Sequence, residues 1–551
     1  MELTGAQILV ETLIEQGVDT VFGYPGGQVL HIYDALYGAK NRLRHILSCH
    51  EQGAAHMADG YARSTGRTGV VISTSGPGAT NLVTGIATAY LDSVPMVAVT
   101  GNVPTHLIGR DSFQEVDITG VTMPITKHNF IVKDISELAD TLRRAFVIAE
   151  SGRPGPVLVD IPKDIQTARH TFFSKAPQQP APLKPKSKAL NAAVRLIKQA
   201  KRPFIYAGGG VVSAGASALM QFLADKIESP VGTSIMGLTA IPHDHPLFTG
   251  MLGMHGQFAA SKAISEADVI LAMGCRFSDR VTGNKEEFAP GARIVHFDID
   301  DAEIGKNVDC AVGVAGDIRE SLSYLLDALP NQPHPRWRQY VETLKSQNPS
   351  PEMGNGIHPK ALVEAVYKTA GKNAIIATDV GQHQMWTAQY YPFTRPRSFI
   401  TSGGLGTMGF GMGAAIGAAV GNPDRRVVLF TGDGSFHMNM NELATAVSYG
   451  LPVVVIVMNN GALGMVRQWQ KLFFHERYSH TTLHRATDYV KLADAMGAAG
   501  YRMESPDQIA SVLNMAFSAG GPAVIDCRVD IDEMVLPMIP PDGSVNNIIL
   551  N

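Results

Sequence analysis

The segment VVISTSGPGATNLVTGIATAYLDSVPMVAVTGN, from Val70 to Asn102, has a counterpart far along the chain, VVLFTGDGSFHMNMNELATAVSYGLPVVVIVMNN, from Val427 to Asn460. Each reads as an apolar strand, a glycine-rich turn, a helix, a proline and a second apolar strand ending on Asn. A third stretch, Pro203–Gly237, repeats the pattern more loosely. Continuous β-branched runs alternating with helices indicate parallel strands covered on both faces. Three such regions in 551 residues predict an α/β protein of three doubly wound parallel-sheet domains. Two stretches rich in Pro and polar residues, Ser174–Leu190 and Pro330–Pro359, read as exposed connections. They divide the chain into residues 1–175, 190–330 and 358–535, followed by a Pro-rich tail, 536–551, that is not expected to form a regular helix.

Composition narrows the function. The net charge is −4 and no long basic run occurs, which argues against a nucleic-acid partner. The four cysteines are scattered singly with no CxxC, as in a protein of the reducing cytoplasm without a zinc site or disulfide framework. The first residues, MELTGAQILVETLIEQGV, read as an amphipathic helix and not a signal peptide. No apolar run is long enough to cross a bilayer.

The most specific chemical signal is Gly432-Asp433-Gly434 followed by Asn459-Asn460. Asp433 directly follows the apolar run VVLFTG, and Asn460 follows the next one, PVVVIVMN. In a parallel sheet both emerge at the carboxyl edge, where ligands bind. A carboxylate and an amide oxygen are hard ligands suited to Mg²⁺, and the glycines let backbone amides approach phosphate oxygens. A lone GDG is an ordinary turn; GDG and NN ending successive strands resembles the thiamine-diphosphate motif. Glu51, in CHEQGAAHMADGYAR, begins an expected helix, where a Glu ordinarily serves as a dipole partner. Thiamine chemistry also needs one carboxylic acid at the aminopyrimidine N1′, and HEQGAAHMADGYAR closely resembles the family segment that carries it.

The resemblance extends along the chain. FGYPGG (Phe22–Gly27), TSGPGATN (Thr74–Asn81), DSFQEVD (Asp111–Asp117), SGRPGPVLVDIPKD (Ser151–Asp164), GMHG (Gly253–Gly256), VGQHQMW (Val380–Trp386), SGGLGTMGFG (Ser402–Gly411) and MVRQWQ (Met465–Gln470) are similar to acetohydroxyacid synthase large subunits, in that family's order. The resemblance implies decarboxylation of pyruvate on thiamine diphosphate. The two-carbon unit then joins a second pyruvate, giving 2-acetolactate, or 2-oxobutyrate, giving 2-aceto-2-hydroxybutyrate, in branched-chain amino-acid biosynthesis. It implies that Tyr24, Pro25, Gly26, Gly27, Pro77, Asn81 and Gln114 join Glu51 at the aminopyrimidine end. Val380, Gly381, Gln382 and His383 would meet the diphosphate or its surroundings. Gly406 and Met408 would support the pyrimidine, Met408 by enforcing a bent cofactor; core packing is the commoner fate of a Met. Asp433, Asn460 and the Ala462 carbonyl would bind Mg²⁺, with Gly432, Gly434, Ser435, Leu463, Gly464 and Met465 completing that end.

For the middle domain the resemblance implies FAD, held mainly for structure. Arg153, Gly208, Gly209, Gly210, Leu252, Gly253, Met254, His255, Gly274, Arg276, Arg280, Asp298, Ile299, Asp317 and Ile318 would contact it, although IYAGGGV lacks a strictly spaced GxGxxG. Arg280 and Trp469 would select the second substrate through a guanidinium fork and an indole face. The bland alternatives are an Arg280–Asp279 ion pair and a core aromatic. Phe113, Met254 and Lys163 are further candidates at the same mouth. Gln28, His31 and Ser278 depart from the commoner family residues without removing a catalytic group.

Because Glu51 and Asp433 contact opposite ends of one cofactor, the family arrangement implies a homodimer or a larger homo-oligomer. The third α/β unit is followed by no evident effector domain, so a small regulatory subunit is expected as partner. The alternatives are an FAD-dependent pyruvate oxidase, a glyoxylate carboligase, against which Glu51 counts, and a non-catalytic scaffold, against which Glu51, Asp433 and Asn460 count.

Overall fold

The computed structural model of the chain describes residues 1–349 and 356–550. Each apolar region builds one sheet of six parallel strands. The first contains Thr20–Tyr24, Arg44–Leu47, Gly69–Ser73, Met96–Asn102, His128–Ile131 and Pro156–Pro162, in the spatial order 2-1-3-4-6-5. The third contains Ile375–Thr378, Phe399–Ile400, Val427–Gly432, Val453–Asn459, Ala499–Met503 and Ala523–Arg528, in the same order. The two matching sequence segments are thus the third and fourth strands of two sheets of one topology. The central sheet, which begins with Pro203–Ala207 and ends with Val312–Ala315, runs 3-2-1-4-5-6. Its likeness to the others is looser because Pro203–Gly237 supplies the first two strands of a differently wound sheet. All residues of Val427–Gly432 and Val453–Asn459 are buried, as strands covered by helices on both faces require.

The connections differ in part from their sequence reading. Residues 174–186 are irregular and mostly exposed, and a helix begins at Ser187. The segment from Pro330 is not all connection: Pro335–Ser346 is a helix that buries Trp337, Val341 and Leu344. Trp337 donates its indole N–H to the Pro203 carbonyl at 2.9 Å, so this helix belongs with the central sheet. A Pro at the first helical position and an apolar stripe at i, i+4 and i+7 carried that helix within a polar composition. Residues 350–355 of the remaining connection lie outside the described residues. Among its described residues the tail holds one short 3-10 helix, Val545–Asn547, and no longer helix. No described helix is long and apolar enough to cross a membrane.

The outer two units meet along helices Glu51–Thr65 and Phe410–Gly421. Their facing residues are small, so the backbones come together. A Cβ on Gly60 would overlap the Ala414 carbonyl, one on Gly417 would overlap the Met57 carbonyl, and one on Gly413 would sit 2.8 Å from the Gly53 oxygen. Gly417→Ala should therefore force the helices apart and destabilise the chain by about 1–3 kcal/mol, as overpacking of a filled core does. Urea denaturation checks this; an unchanged midpoint would show that the seam can relax.

Candidate active site

Asp433 and Asn460 emerge at the carboxyl ends of adjacent strands, Val427–Gly432 and Val453–Asn459, whose pairing is in register. Asp433 is 5% exposed, and its Oδ1 is buried without a hydrogen-bond partner. Burial lifts its carboxyl to about 6, so the charge is held at a cost that a cation would relieve. Beside it, Asn460 Oδ1 accepts the Ala462 N–H at 3.1 Å, and Asn460 Nδ2 donates to Gln382 Oε1 at 3.2 Å. Three residues with oxygens of hard character (the Asp433 carboxylate, the Asn460 amide and the Ala462 carbonyl) thus stand at the ends of two adjacent strands, a donor set suited to Mg²⁺.

Helices Gln382–Tyr390 and Gly464–Phe473 begin at this edge and point amide N–H groups toward it, a ready anion cradle. Gly464 makes room there: a Cβ on it would displace Gln382 Oε1 and stand 2.7 Å from Asn460 Nδ2. His383 is buried and its Nε2 has no partner; desolvation presses its pKa down to about 3, leaving a neutral ring. Ser435 donates its hydroxyl to the Val380 carbonyl at 3.1 Å.

These residues open into a cavity of about 1910 Å³. A pocket for one small ligand is about 300–1,000 Å³, so more than one extended ligand fits. Val380, Gly381, Gln382, His383, Gly406, Met408, Gly432, Asp433, Gly434, Ser435, Asn460, Ala462, Leu463, Gly464, Met465 and Trp469 line it. So do Arg153, Gly209, Gly210, Leu252, Met254, His255, Gly274, Arg276, Arg280, Asp298, Ile299, Asp317 and Ile318. Gly208 and Gly253 stand just behind that lining. A Cβ on Gly208 would overlap the Gly274 carbonyl, and Gly253, at φ +104°, would crowd the Arg280 carbonyl. Met408 is half-buried, with its Cε 3.8 Å from where a Gly434 Cβ would sit. The connection contributes Gln179–Leu183 to the same wall, which its composition did not suggest.

Arg280 and Trp469, from the central and third units, come together: the guanidinium carbon lies 5.7 Å from the indole centroid. The Asp279 carboxylate is 3.9 Å from Arg280 with both side chains mostly exposed, a weak pair that leaves the guanidinium available. Trp469 is half-buried rather than a core aromatic. Met254 donates its N–H to the Arg280 carbonyl at 2.7 Å. Ser278 caps the short turn carrying Arg280, its Oγ accepting the Arg280 N–H at 3.3 Å.

The aminopyrimidine-end candidates form a second cluster, on the carboxyl edge of the first sheet. Glu51 starts its helix, is 9% exposed and accepts Asn81 Nδ2 at 2.9 Å through Oε2. A Cβ on Gly78 would meet Glu51 Oε1 at 3.1 Å, and one on Gly76 would meet the Gln114 carbonyl at 2.9 Å. Tyr24, Pro25, Gly27 and Pro77 are exposed, and Gly26 and Asn81 half-buried. None of these residues, nor Gln114, Phe113 or Lys163, lines the cavity that contains Asp433. Phe113 is 83% exposed. Among the departures, Gln28 buries an unpartnered Oε1 and His31 is exposed. Glu442, unremarked in the sequence, is fully buried and accepts the backbone N–H groups of Cys49 and His50, fixing the turn just ahead of Glu51. No local pattern around NELATA marks that role.

A sheet edge carrying a buried carboxylate and an amide on one α/β unit, and a buried helix-start glutamate on a second unit of identical topology, define a thiamine-diphosphate enzyme. Three family models match in order: the thiamine pyrophosphate enzyme N-terminal TPP binding domain over residues 3–121, the central domain over 190–325 and the C-terminal TPP binding domain over 379–527. The probable acetolactate synthase large subunit of Methanocaldococcus jannaschii is 47% identical over 99% of this chain and 95% of its own length. The acetolactate synthase large subunits of Parasynechococcus marenigrum (47%, covering 98% and 90%) and Haemophilus influenzae (44%, covering 100% and 98%) are similar throughout. The chain belongs to the acetolactate synthase large subunits, within the thiamine-diphosphate enzymes.

Proposed function

We propose that Arg280 and Trp469 receive the second 2-oxo acid, pyruvate or 2-oxobutyrate, while the GDG…NN edge and Glu51 hold the cofactor on which the first pyruvate is decarboxylated. The observation that carries this is the meeting of a guanidinium fork and an indole face in the cavity of Asp433. The fork suits a carboxylate and the indole a short alkyl chain. An FAD-dependent pyruvate oxidase passes electrons to a flavin and needs no grip on a second oxo acid. The relatives are likewise named for acetolactate synthesis, a carboligation. Incubation with pyruvate, thiamine diphosphate and Mg²⁺, with and without FAD, tests the reading: 2-acetolactate is the expected product, and acetate with O₂ consumption would overturn it.

Thiamine diphosphate supplies the electron sink for decarboxylation. Asp433, Asn460 and the Ala462 carbonyl fit Mg²⁺ as oxygen donors with one orphaned, buried carboxylate oxygen. Gly381, Gln382, Gly434, Ser435, Gly464 and Met465 line the same sheet edge, and Glu51 would serve as the acid at the aminopyrimidine end of the cofactor. The central portion of the cavity, from Asp298 and Asp317 to Arg280, fits FAD. Its glycines permit close backbone approach, and Asp298 is a buried carboxyl raised to about 6 by desolvation.

Glu51 and its neighbours lie outside the cavity of Asp433, so a second copy of the chain completes each site. The exposed apolar side chains of Leu30, Leu47, Phe113 and Met123 on the first unit suit such a partner. The four unpaired cysteines accord with the cytoplasm.

Arg280→Lys keeps the charge and loses the fork. Decarboxylation should persist while carboligation falls by about tenfold, with reduced discrimination for 2-oxobutyrate, as for the loss of one charge-assisted hydrogen bond. Competition between pyruvate and 2-oxobutyrate measures this, and an unaltered product ratio and rate would remove Arg280 from the substrate site. The relatives are named as large subunits, and a small regulatory subunit is the matching partner of this chain. Acetolactate formation across a valine titration should be unaffected for the isolated chain and become sensitive, at higher activity, once the cognate small subunit is added. Strong inhibition of the chain alone would refute the partner requirement.

A further inference from the structure

Asp92, at the end of helix Val83–Leu91, has a fully buried side chain that joins two units. Its Oδ1 accepts the Gly404 N–H at 2.7 Å and its Oδ2 the Gly403 N–H at 3.1 Å. Oδ2 also accepts Arg63 Nη2 at 2.9 Å. Arg63 is anchored by the buried Asp59, one turn back on its own helix, and donates Nη1 to the Thr401 carbonyl at 2.9 Å. Two side chains of the first unit therefore fix three backbone groups in the third unit, the Thr401 carbonyl and two amides of the SGGLGTMG segment that follows it. Its far side is laced as well: Thr407 bonds Thr88 hydroxyl to hydroxyl at 2.8 Å and donates its N–H to Ser402 Oγ at 3.1 Å. Gly406 and Met408, which line the cavity, stand on this fixed segment.

An ordinary ion pair between units would need one oxygen and no particular backbone. Here both carboxylate oxygens take consecutive amides, which sets the peptide planes of Gly403 and Gly404. The two glycines are what let the segment pass. A Cβ on Gly404 would stand 2.8 Å from Asp92 Oδ1 and 3.1 Å from Leu91 Cβ, and one on Gly403 would overlap Met236 Sδ of the central unit.

We infer that Asp92, oriented by Arg63, is a positioning residue for the 402–406 segment and so for Met408, making the first unit of a chain the setter of cofactor geometry in its own third unit. This rests on Met408 as a cofactor support. The test uses the full chain and two readouts, hydrogen–deuterium exchange of the 401–408 amides without cofactor and thiamine-diphosphate affinity with Mg²⁺. Asp92→Asn should speed exchange in that segment and weaken affinity, each by about tenfold, because hydrogen bonds to a charged group are the strong ones. Asp59→Asn also weakens the hold on Arg63 but touches no loop amide, so it should move both readouts clearly less than Asp92→Asn does. Gly404→Ala should reproduce the Asp92→Asn pattern with the ion pairs intact, and it decides the matter if Asp92→Asn fails to fold. Unchanged segment exchange in Gly404→Ala, or equal losses in Asp59→Asn, would overturn the inference. Met408→Ala separates the underlying reading: unchanged cofactor affinity there, with a loosened segment in Asp92→Asn, places the failure in the role of Met408.

Discussion

Glu51→Gln should slow proton exchange at C2 of bound thiamine diphosphate by about 10²–10⁴-fold, the usual worth of a placed general acid or base. The substitution preserves shape, so it isolates the proton. Gln can still accept the Asn81 amide donor seen at 2.9 Å, and the backbone held by Glu442 ahead of the helix is untouched. Loss of one carboxylate at a helix start costs only about 0.3–1 kcal/mol, so unfolding should scarcely change. What Gln cannot supply is an exchangeable acid proton at N1′. Deuterium washout at C2, followed by quenched NMR, reads the step without a second substrate. A parental exchange rate would take Glu51 out of the mechanism and leave it as a helix-start anion.

Asp433→Ala should lower Mg²⁺-dependent affinity for thiamine diphosphate by about 10²-fold or more, since even the outer partners of metal ligands are worth about 10–100-fold. The same change should stabilise the cofactor-free chain. Desolvation raises the Asp433 carboxyl to about 6, above its range in an unfolded chain. A carboxyl raised on folding binds its proton more tightly in the folded state. Stability therefore falls as pH rises from the unfolded pKa to the folded one, and the penalty stays constant above that. Removing Asp433 removes this penalty, so the melting temperature without cofactor at pH 7 should rise while cofactor affinity collapses. Thermal unfolding with and without thiamine diphosphate and Mg²⁺ measures both signs together. Parental affinity in the variant would show that the metal site lies elsewhere.

The sequence disclosed most where chemistry and backbone geometry coincide. GDG and NN were legible because their residues both end buried strands and carry oxygen donors, and the central and C-terminal candidates named from ordered motifs fall on or just behind one cavity wall. The likeness of Val70–Asn102 to Val427–Asn460 reflected a true identity of strand order. Polar composition misled at Pro335–Ser346, because three apolar contacts suffice to seat a short helix whose remaining surface faces water. Asp92 and Glu442 were invisible for a different reason: their partners are backbone amides of another unit, and backbone amides carry no sequence signature. Only the Asp59–Arg63 spacing, one helical turn, offered a local trace of that network.

The seam between Glu51–Thr65 and Phe410–Gly421 has a mechanical meaning. With Gly417 and Gly60 against opposing carbonyls, an added methyl acts as a wedge and not as a local bruise. The strand leading to Asp433 has six residues and is about 20 Å long, so a rocking of about 3° carries its tip by about 1 Å. A misplacement of that size costs about 10²-fold in rate when reacting groups must be held in register. The seam is therefore a fulcrum, and bulk inserted there would be felt as lost catalysis at a site it never touches.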